Sequence, residues 1–307
     1  MLGLIDNYKN LWYNSRKQGG VVVDKIISAL ITFIMIFSLC ACREEPRFPD
    51  REAHTNNVST QTYSEYTESV EKAAKERRDK IANAEWKKNP EKYKLIALTF
   101  DDGPNYKTAK NNNTVTIIDA LNKYEGAGTI FVRGDNVENN GTALLQYAVD
   151  GGFELANHTY SHPDLTSLGR DKIREQIQKT NDIIYNRMGI KLRYIRPGYG
   201  NVNADVFAVT KELNMIPIWT TDELKSKDYD ELSTPQTVSN TVVNAAYDGA
   251  IVILHCWPDN TAGAIEDMCK RLYEKGYRFV TLSEMFEFKG IKNLPTDNYV
   301  YRADENS

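Results

Sequence analysis

Residues 95–104 read LIALTFDDGP, a short apolar run that leads directly into two adjacent carboxylates, Asp101 and Asp102. A short apolar stretch bounded by turn residues such as Gly103-Pro104 is typical of a buried strand. Two ionised side chains at the end of such a strand are costly to bury unless something charged meets them. A solvated Asp-Asp-Gly turn is the alternative interpretation, and the ends of the other strands decide between the two.

The composition is that of a globular chain without an affinity for nucleic acid. The 307 residues are 41% apolar, which is enough for a core, and the net charge of −4 offers no basic surface for nucleic acid. The sequence contains four cysteines and no CxxC motif, which argues against a zinc ribbon. We expect Cys256 and Cys269 to be buried free thiols, and a disulfide between them is the alternative in an extracellular domain.

The first 42 residues predict export. Arg16, Lys17 and Lys25 precede sixteen uncharged residues, 26–41, which is the pattern of an export signal. The ending, LCAC at 39–42, resembles the bacterial lipobox, whose last cysteine is lipidated, so we expect lipidation at Cys42. An uncleaved membrane anchor is the alternative interpretation. Both interpretations place the rest of the chain on the extracellular face of the bacterial cytoplasmic membrane.

The next segment, residues 43–92, predicts a linker or stalk. Residues 43–64 are polar and contain two prolines, and 64–88 are rich in Glu, Lys, Arg and Ala. That composition favours a solvated helix stabilised by Glu–Lys pairs rather than one packed against a core. Residues 290–307 are expected to form a C-terminal tail.

Strands alternate with helices through residues 93–289. Seven such strands imply parallel pairing with right-handed crossovers. No Gly-x-Gly-x-x-Gly follows any strand, which favours a distorted (β/α) barrel, although periodicity alone also allows a doubly wound sheet. The predicted strands are Leu95–Phe100, Ala127–Val132, Phe153–Ala156, Leu192–Ile195, Ile216–Thr220, Ala250–Leu254 and Phe279–Leu282; the predicted helices are Thr114–Lys123, Ala143–Asp150, Asp171–Met188, Ala204–Leu213, Pro235–Ala246 and Ala264–Lys275.

Polar side chains follow most of these strands, where a β/α barrel places its functional groups. His158 and His162 lie four residues apart, so on one turn they face the same way and can hold one metal. A carboxylate from another strand end, Asp101 or Asp102, would complete a site of two histidines and one carboxylate. Two solvent-facing histidines are the alternative interpretation of this spacing.

TFDDG at 99–103 together with HTYSH at 158–162 resembles the first two motifs of the polysaccharide deacetylases, the NodB-homology domains of carbohydrate esterase family four. The order and spacing of the later motifs agree, and the resemblance covers about residues 93–289. It implies a distorted (β/α) barrel that removes N- or O-acetyl groups from a polysaccharide with the help of a divalent metal.

The resemblance also implies a role for each matching residue. The metal would polarise the acetyl carbonyl and lower the pKa of water, while a carboxylate takes the proton. The matches are Asp102, His158 and His162 as metal ligands, Asp101 as general base, Arg196 as the partner of that base, Tyr199 as a backbone oxyanion donor, His255 as the acid for the leaving amine, and Trp219 and Leu254 as the lining of the acetate pocket.

The chain departs from the family pattern in three places. Gly198 stands where the third motif usually has proline, and Cys256 stands where aspartate often follows the catalytic histidine. The fourth motif is stretched: Asp222 fits its start, and we expect it to orient Arg196. The usual Asp-Trp is absent, and Asp228-Tyr229 is the nearest substitute.

The export signal and the family resemblance together predict a membrane-tethered deacetylase of N-acetylglucosamine or N-acetylmuramic acid in cell-wall glycan. An O-acetyl xylan esterase that uses the same residues is the second enzyme hypothesis. A catalytically impaired glycan-binding module is the non-enzyme hypothesis, suggested by the altered fourth motif and Cys256. The ligand types favour Zn²⁺, and Co²⁺ or Ni²⁺ also suits a His-His-Asp site.

Overall fold

All seven predicted strands are present, and all of them pair in parallel. The computed structural model describes residues 60–105 and 112–303. The sheet has the order β5-β4-β3-β2-β1-β6, with β7 also paired to β1. The strands are β1 (Lys94–Gly103), β2 (Thr129–Val132), β3 (Glu154–Asn157), β4 (Tyr194–Ile195), β5 (Ile216–Pro217), β6 (Ala250–His255) and β7 (Tyr277–Phe279).

The six predicted helices are confirmed, each within a few residues of its expected ends. Between the strands lie one-turn 3₁₀ segments and a short helical and π-helical segment, residues 134–141, after β2. The described helices are α1 (Thr60–Ala82), α2 (Asn113–Lys123), α3 (Thr142–Asp150), α4 (Arg170–Met188), α5 (Ala204–Glu212), α6 (Pro235–Ala245), α7 (Asp259–Glu274) and α8 (Leu282–Phe288).

The sheet is covered on both faces, as the apolar strands predict. Along β1, Ile96, Leu98 and Phe100 point to a core shared with α2, α3, α6 and α7. Leu95 and Ala97 point the other way, into the concave interior, which also contains side chains of α8. The alternation follows from the two-residue period of a strand. Each functional side chain of β1 therefore lies either on the helix-covered face or in the interior.

The sheet is a curled half-barrel rather than a closed barrel, because β5 and β6 are its two ends. The C-terminal tail spans the space between those ends. Val300 bridges to Ile218 just after β5, and Arg302 bridges to Ala250 at the start of β6. Gly249 allows this approach, since a Cβ there would lie 2.3 Å from the carbonyl oxygen of Ala303. The segment predicted as a tail is thus part of the folded barrel up to residue 303.

The prediction for the seventh strand was wrong at its end. β7 stops at Phe279, and Leu282 begins helix α8. Thr281 accepts a hydrogen bond from the backbone of Glu284, whose side chain accepts one from the backbone of Thr281. This capping box is readable in the sequence, and it decides the segment in favour of a helix.

Helix α1 is helical as predicted, but it is not solvated throughout. The chain divides into two compact units, Met1–Val70 and Glu71–Ser307. Within the second unit, Ile81 is 2% exposed and belongs to the main core, and Arg77 lies over the ring of Tyr147 at 3.7 Å. Trp86 is also buried, and its indole N–H donates to the carbonyl of Glu125. The expectation of an unpacked stalk is therefore wrong from the last turn of α1 onward.

The predicted leader, with its apolar run and Cys42, lies outside the described residues. Within the part of the chain that the structure describes, no helix combines the length and apolarity needed to cross a bilayer. Cys256 and Cys269 are both buried and free, as predicted.

Replacing Ile81 by alanine tests whether the end of α1 is part of the domain. Because Ile81 is buried in the main core, Ile81→Ala should lower the free energy of unfolding by about 2–5 kcal/mol. Lys80→Ala, at the exposed neighbouring position, should change it by less than about 0.5 kcal/mol. Urea denaturation of both variants measures the difference, and equal small effects would show that this turn is peripheral.

Candidate active site and metal centre

The carboxyl ends of four strands bring the predicted site residues together. Asp101 and Asp102 end β1, His158 follows β3, Arg196 follows β4, and His255 ends β6. Asp101 and His255 are directly paired across β1 and β6. Since all strands are parallel, these side chains share one edge of the sheet. The solvated-turn interpretation of Asp101-Asp102 is excluded, because Asp101 is only 3% exposed.

Asp102, His158 and His162 form a cluster whose ligand atoms all lie within 4.8 Å of one another. Asp102 Oδ1 is buried and has no hydrogen-bond partner among the described residues, whereas Oδ2 accepts a hydrogen bond from the indole of Trp257 at 3.2 Å. A buried carboxylate oxygen without a donor lacks the compensation that burial requires. Two histidines and one carboxylate suit a divalent transition metal, so the residues fit the predicted metal site.

The groups around His158 leave one of its ring nitrogens available to bind a metal. Its Nδ1 lies 2.6 Å from the carbonyl oxygen of Arg196, so Nδ1 carries the proton and Nε2 is left for a metal. Burial lowers the pKa of His158, although Asp101 and Asp102 oppose the shift, and a neutral imidazole is the form that binds a metal.

A tight loop rather than a helix places His162 beside His158. The side chain of Asn157 accepts a hydrogen bond from the backbone of Thr159, and Thr159 Oγ1 accepts one from the backbone of His162. Thr159 and His162 have φ values of 64° and 57°, in the left-handed region that is uncommon for residues other than glycine. The imidazole rings end with their centroids 4.7 Å apart. The four-residue spacing predicted this proximity, but the turn that produces it was not predicted.

Asp101 forms a buried ion pair with Arg196. Arg196 Nη1 lies 2.6 Å from Asp101 Oδ1 and 2.9 Å from Thr99 Oγ1, and the guanidinium lies over the ring of Phe131 at 4.0 Å. Burial by itself would raise the pKa of Asp101, but the charges of Arg196, His158 and His255, together with the hydrogen bond from Arg196, outweigh it and hold that pKa below its ordinary value. Asp101 is therefore an ionised carboxylate that can accept a proton.

His255 is held by a residue that the sequence analysis named only as a substitute. Asp228 is fully buried, and its carboxylate lies 2.8 Å from His255 Nδ1 and accepts a hydrogen bond from the His255 backbone at 2.7 Å. Thr261 donates a third hydrogen bond to it. Burial disfavours a charged imidazole, but the hydrogen bond and charge of Asp228 outweigh it and raise the pKa of His255. The result is an imidazole that keeps its proton more readily near neutral pH.

Two predicted assignments are corrected by the structure. Asp222 does not orient Arg196: its side chain is 89% exposed and pairs with Lys225. Leu254 does not face the site: it is packed in the core under the helices, whereas Ile253 pairs with Thr99 and so points to the face of Asp101 and His255. Asp228 does not take over the role expected of Asp222, because it holds His255 and not Arg196.

Tyr199 and Trp219 lie near the centre. Tyr199 is 66% exposed, its ring lies 4.7 Å from that of His162, and its φ is 62°. Its role as a backbone oxyanion donor stays a prediction. Trp219 is half-buried between Gly200 and the ring of Tyr299, and its place in an acetate pocket stays a prediction.

Comparison with known proteins identifies relatives of the same fold. A family model described as polysaccharide deacetylase matches residues 88–218. The chain is 33% identical over 197 residues to a peptidoglycan-N-acetylglucosamine deacetylase of Bacillus cereus, covering 62% of this chain and 68% of that protein. It is 36% identical over 197 residues to the peptidoglycan-N-acetylmuramic acid deacetylase PdaC of Bacillus subtilis, covering 64% of this chain but only 39% of PdaC.

A solved structure shows the same arrangement of the chain. The family 4 acetyl xylan esterase of Clostridium thermocellum, in complex with a cobalt ion, superposes with a TM-score of 0.62 at 30% identity. The match covers 69% of this chain and all of that one.

Substituting Asp228 tests whether this residue raises the pKa of His255. Asp228→Asn removes the charge that raises the pKa of His255, so that pKa should fall, and the imidazole should lose its proton at lower pH. The His255 Cε1–H signal in an NMR titration measures this directly. Asp222→Asn is the matched control, because Asp222 is exposed and paired with Lys225, and it should leave the titration unchanged. An unchanged titration in Asp228→Asn would remove Asp228 as the group that raises the pKa of His255.

Proposed function

The chain belongs to the polysaccharide deacetylase family, and we propose that it hydrolyses the N-acetyl groups of N-acetylglucosamine or N-acetylmuramic acid in cell-wall glycan. The relatives in Bacillus cereus and Bacillus subtilis carry names that state these two activities. The observation that carries the proposal is that two groups with opposite partners lie beside one three-ligand cluster: Asp101 is paired with Arg196, and His255 is hydrogen-bonded to Asp228.

The two groups divide the proton transfers of amide hydrolysis. Asp101, held ionised by Arg196, takes a proton from the attacking water. His255, held by Asp228, gives a proton to the departing amine nitrogen, which is a poor leaving group without one. The backbone N–H of Tyr199 donates to the developing oxyanion.

A divalent metal bound by Asp102, His158 and His162 would polarise the acetyl carbonyl and make water more acidic. The neutral imidazoles and single carboxylate favour Zn²⁺, and Co²⁺ or Ni²⁺ also suits this ligand set.

We also propose that the protein is anchored on the outer face of the bacterial cytoplasmic membrane, through a lipid on Cys42 or through residues 26–41 as an uncleaved span. An anchored deacetylase meets the wall polymer before any soluble glycan. Deacetylation leaves free amines, which make the glycan more cationic.

Removal of O-acetyl groups from xylan is the second candidate, favoured by the similarity to the Clostridium thermocellum acetyl xylan esterase. An impaired glycan-binding module is the weaker hypothesis, because the three-ligand cluster, the Asp101–Arg196 pair and the His255–Asp228 pair are all present.

Acetate release from defined substrates tests these alternatives. The purified protein should release acetate from peptidoglycan fragments or N-acetylglucosamine oligomers, and a chelator should abolish the release. A higher kcat/KM on acetylxylan would favour the esterase. Glycan binding that survives chelation, with no acetate from any substrate in the presence of Zn²⁺, Co²⁺ or Ni²⁺, would leave only a binding module.

Separate substitutions of the two adjacent carboxylates test their division of labour. Asp101→Asn should keep the bound metal but lower kcat by about 10²–10⁴-fold, because the base is lost. Asp102→Asn should lower the metal content, because a ligand charge is lost. Metal analysis and kinetics on the same preparations give both results. Full activity in Asp101→Asn would remove Asp101 as the base.

A further inference from the structure

Arg133 lies at the rim of the metal centre, although neither the family motifs nor the proposed mechanism uses it. It follows β2 directly, and its backbone N–H donates to the carbonyl of Gly103, next to Asp102. The two residues after it support the loop of the histidines: Gly134 and Asp135 donate backbone hydrogen bonds to the carbonyls of Thr159 and Tyr160. The Arg133 backbone is thus fixed between the two sources of metal ligands.

The guanidinium of Arg133 is oriented by a neighbour. Its Nε and Nη2 lie 3.2 and 2.7 Å from the two carboxylate oxygens of Asp135. This paired contact uses one edge of the planar group and leaves Nη1 on the other edge. Asp135 therefore holds the cation in one orientation and does not occupy all of its donors.

Nη1 is directed toward the metal centre. It lies 3.7 Å from Asp102 Oδ1, which is too far for a hydrogen bond, and the Arg133 side chain is 28% exposed. Within residues 60–105 and 112–303, Asp102 Oδ1 is the carboxylate oxygen for which there is no hydrogen-bond donor. A ligand at the centre therefore meets a fixed positive charge at its edge.

We propose that Arg133 binds an anionic substituent next to the acetyl group that is removed, and that it selects N-acetylmuramic acid over N-acetylglucosamine. This inference rests on the proposed N-deacetylase function. N-acetylmuramic acid carries a lactyl carboxylate on the ring carbon beside the acetamido carbon, whereas N-acetylglucosamine has a hydroxyl there. A sugar with its acetamido group at the centre thus brings the carboxylate to the rim, where a guanidinium edge is suited to it.

A purely structural role explains less of this arrangement. The Arg133–Asp135 pair is local in sequence, and both side chains are partly exposed, at 28% and 25%. Such pairs contribute little to stability. A neutral residue would also leave Asp102 a stronger metal ligand, because a nearby cation opposes a metal ion. A cation at this position instead favours the binding of a substrate that carries a negative charge.

The test compares two forms of one oligosaccharide. The substrate is a tetrasaccharide of alternating N-acetylglucosamine and N-acetylmuramic acid, with the lactyl carboxylates free or converted to methyl esters. For the wild-type protein, esterification should lower kcat/KM for acetate release about tenfold, which corresponds to about 1.4 kcal/mol. Arg133→Met should lose about the same factor on the free acid and nothing on the ester. Arg133→Lys should keep part of the preference.

Arg170→Met is the matched control, because Arg170 pairs with Asp205 on the surface and should not alter the preference. Binding provides a readout other than turnover. Calorimetry with the metal-loaded Asp101→Asn protein should show tighter binding of the free acid than of the ester, and adding Arg133→Met should remove that difference. Equal metal content in all variants excludes an effect through the metal ligands.

The possible outcomes distinguish a failure of the role of Arg133 from a failure of the proposed deacetylase function. Acetate release without any preference for the free acid would overturn the role of Arg133 and leave the deacetylase in place. An equal loss on both substrates in Arg133→Met would show that Arg133 supports the centre instead. No acetate from either form would overturn the proposed function, and the binding measurement would then still decide whether Arg133 recognises the carboxylate.

Discussion

The site depends on one buried ion pair, that between Asp101 and Arg196. The side chain of Arg196 holds the proposed base, while its carbonyl oxygen fixes the tautomer of His158. One residue therefore couples the base to a metal ligand. Removing either partner would leave an uncompensated buried charge, which typically costs about 3–5 kcal/mol. Thr99, the carbonyl of Ile218 and the ring of Phe131 surround the guanidinium and keep the pair dry and in one geometry.

Two neighbouring carboxylates serve one centre because the strand is distorted between them. Successive side chains on a regular strand point to opposite faces. Asp102 has a φ of 60°, and the register of β1 against β2 shifts between Phe100 and Gly103. His162, in the loop after β3, and Tyr199, in the loop after β4, also have left-handed φ values, and both lie beside the same centre. Such conformations persist only where the surrounding structure imposes them. Here Thr159 Oγ1 accepts a hydrogen bond from the backbone of His162, and the Asn136 amide donates one to the carbonyl of Asp102.

The residues that hold His255, the proposed acid, come from a loop and a helix rather than from a strand. Asp228 lies in the loop after β5, and the start of α7 fixes it: Thr261 donates to its carboxylate and Asn260 to its carbonyl. Tyr229 is 58% exposed, and its ring lies 5.2 Å from that of His255. The C-terminal tail packs beside Trp219, where the ring centroids of Trp219 and Tyr299 lie 5.7 Å apart.

The sequence by itself determined the parallel α/β fold and the strand ends as the location of the site, because apolar periodicity is a local signal. Its motifs, through their family resemblance, singled out the cluster of Asp102, His158 and His162 together with Asp101, Arg196 and His255. It did not determine which aspartate serves which partner. Asp222 and Asp228 lie six residues apart in an irregular loop, and only burial and the hydrogen bonds to His255 and Thr261 distinguish them. Ile253 and Leu254 are equally apolar, and only the register of β6 against β1 decides which one faces the site. The tail and Arg133 owe their positions to contacts between segments far apart in the chain, which no local pattern records.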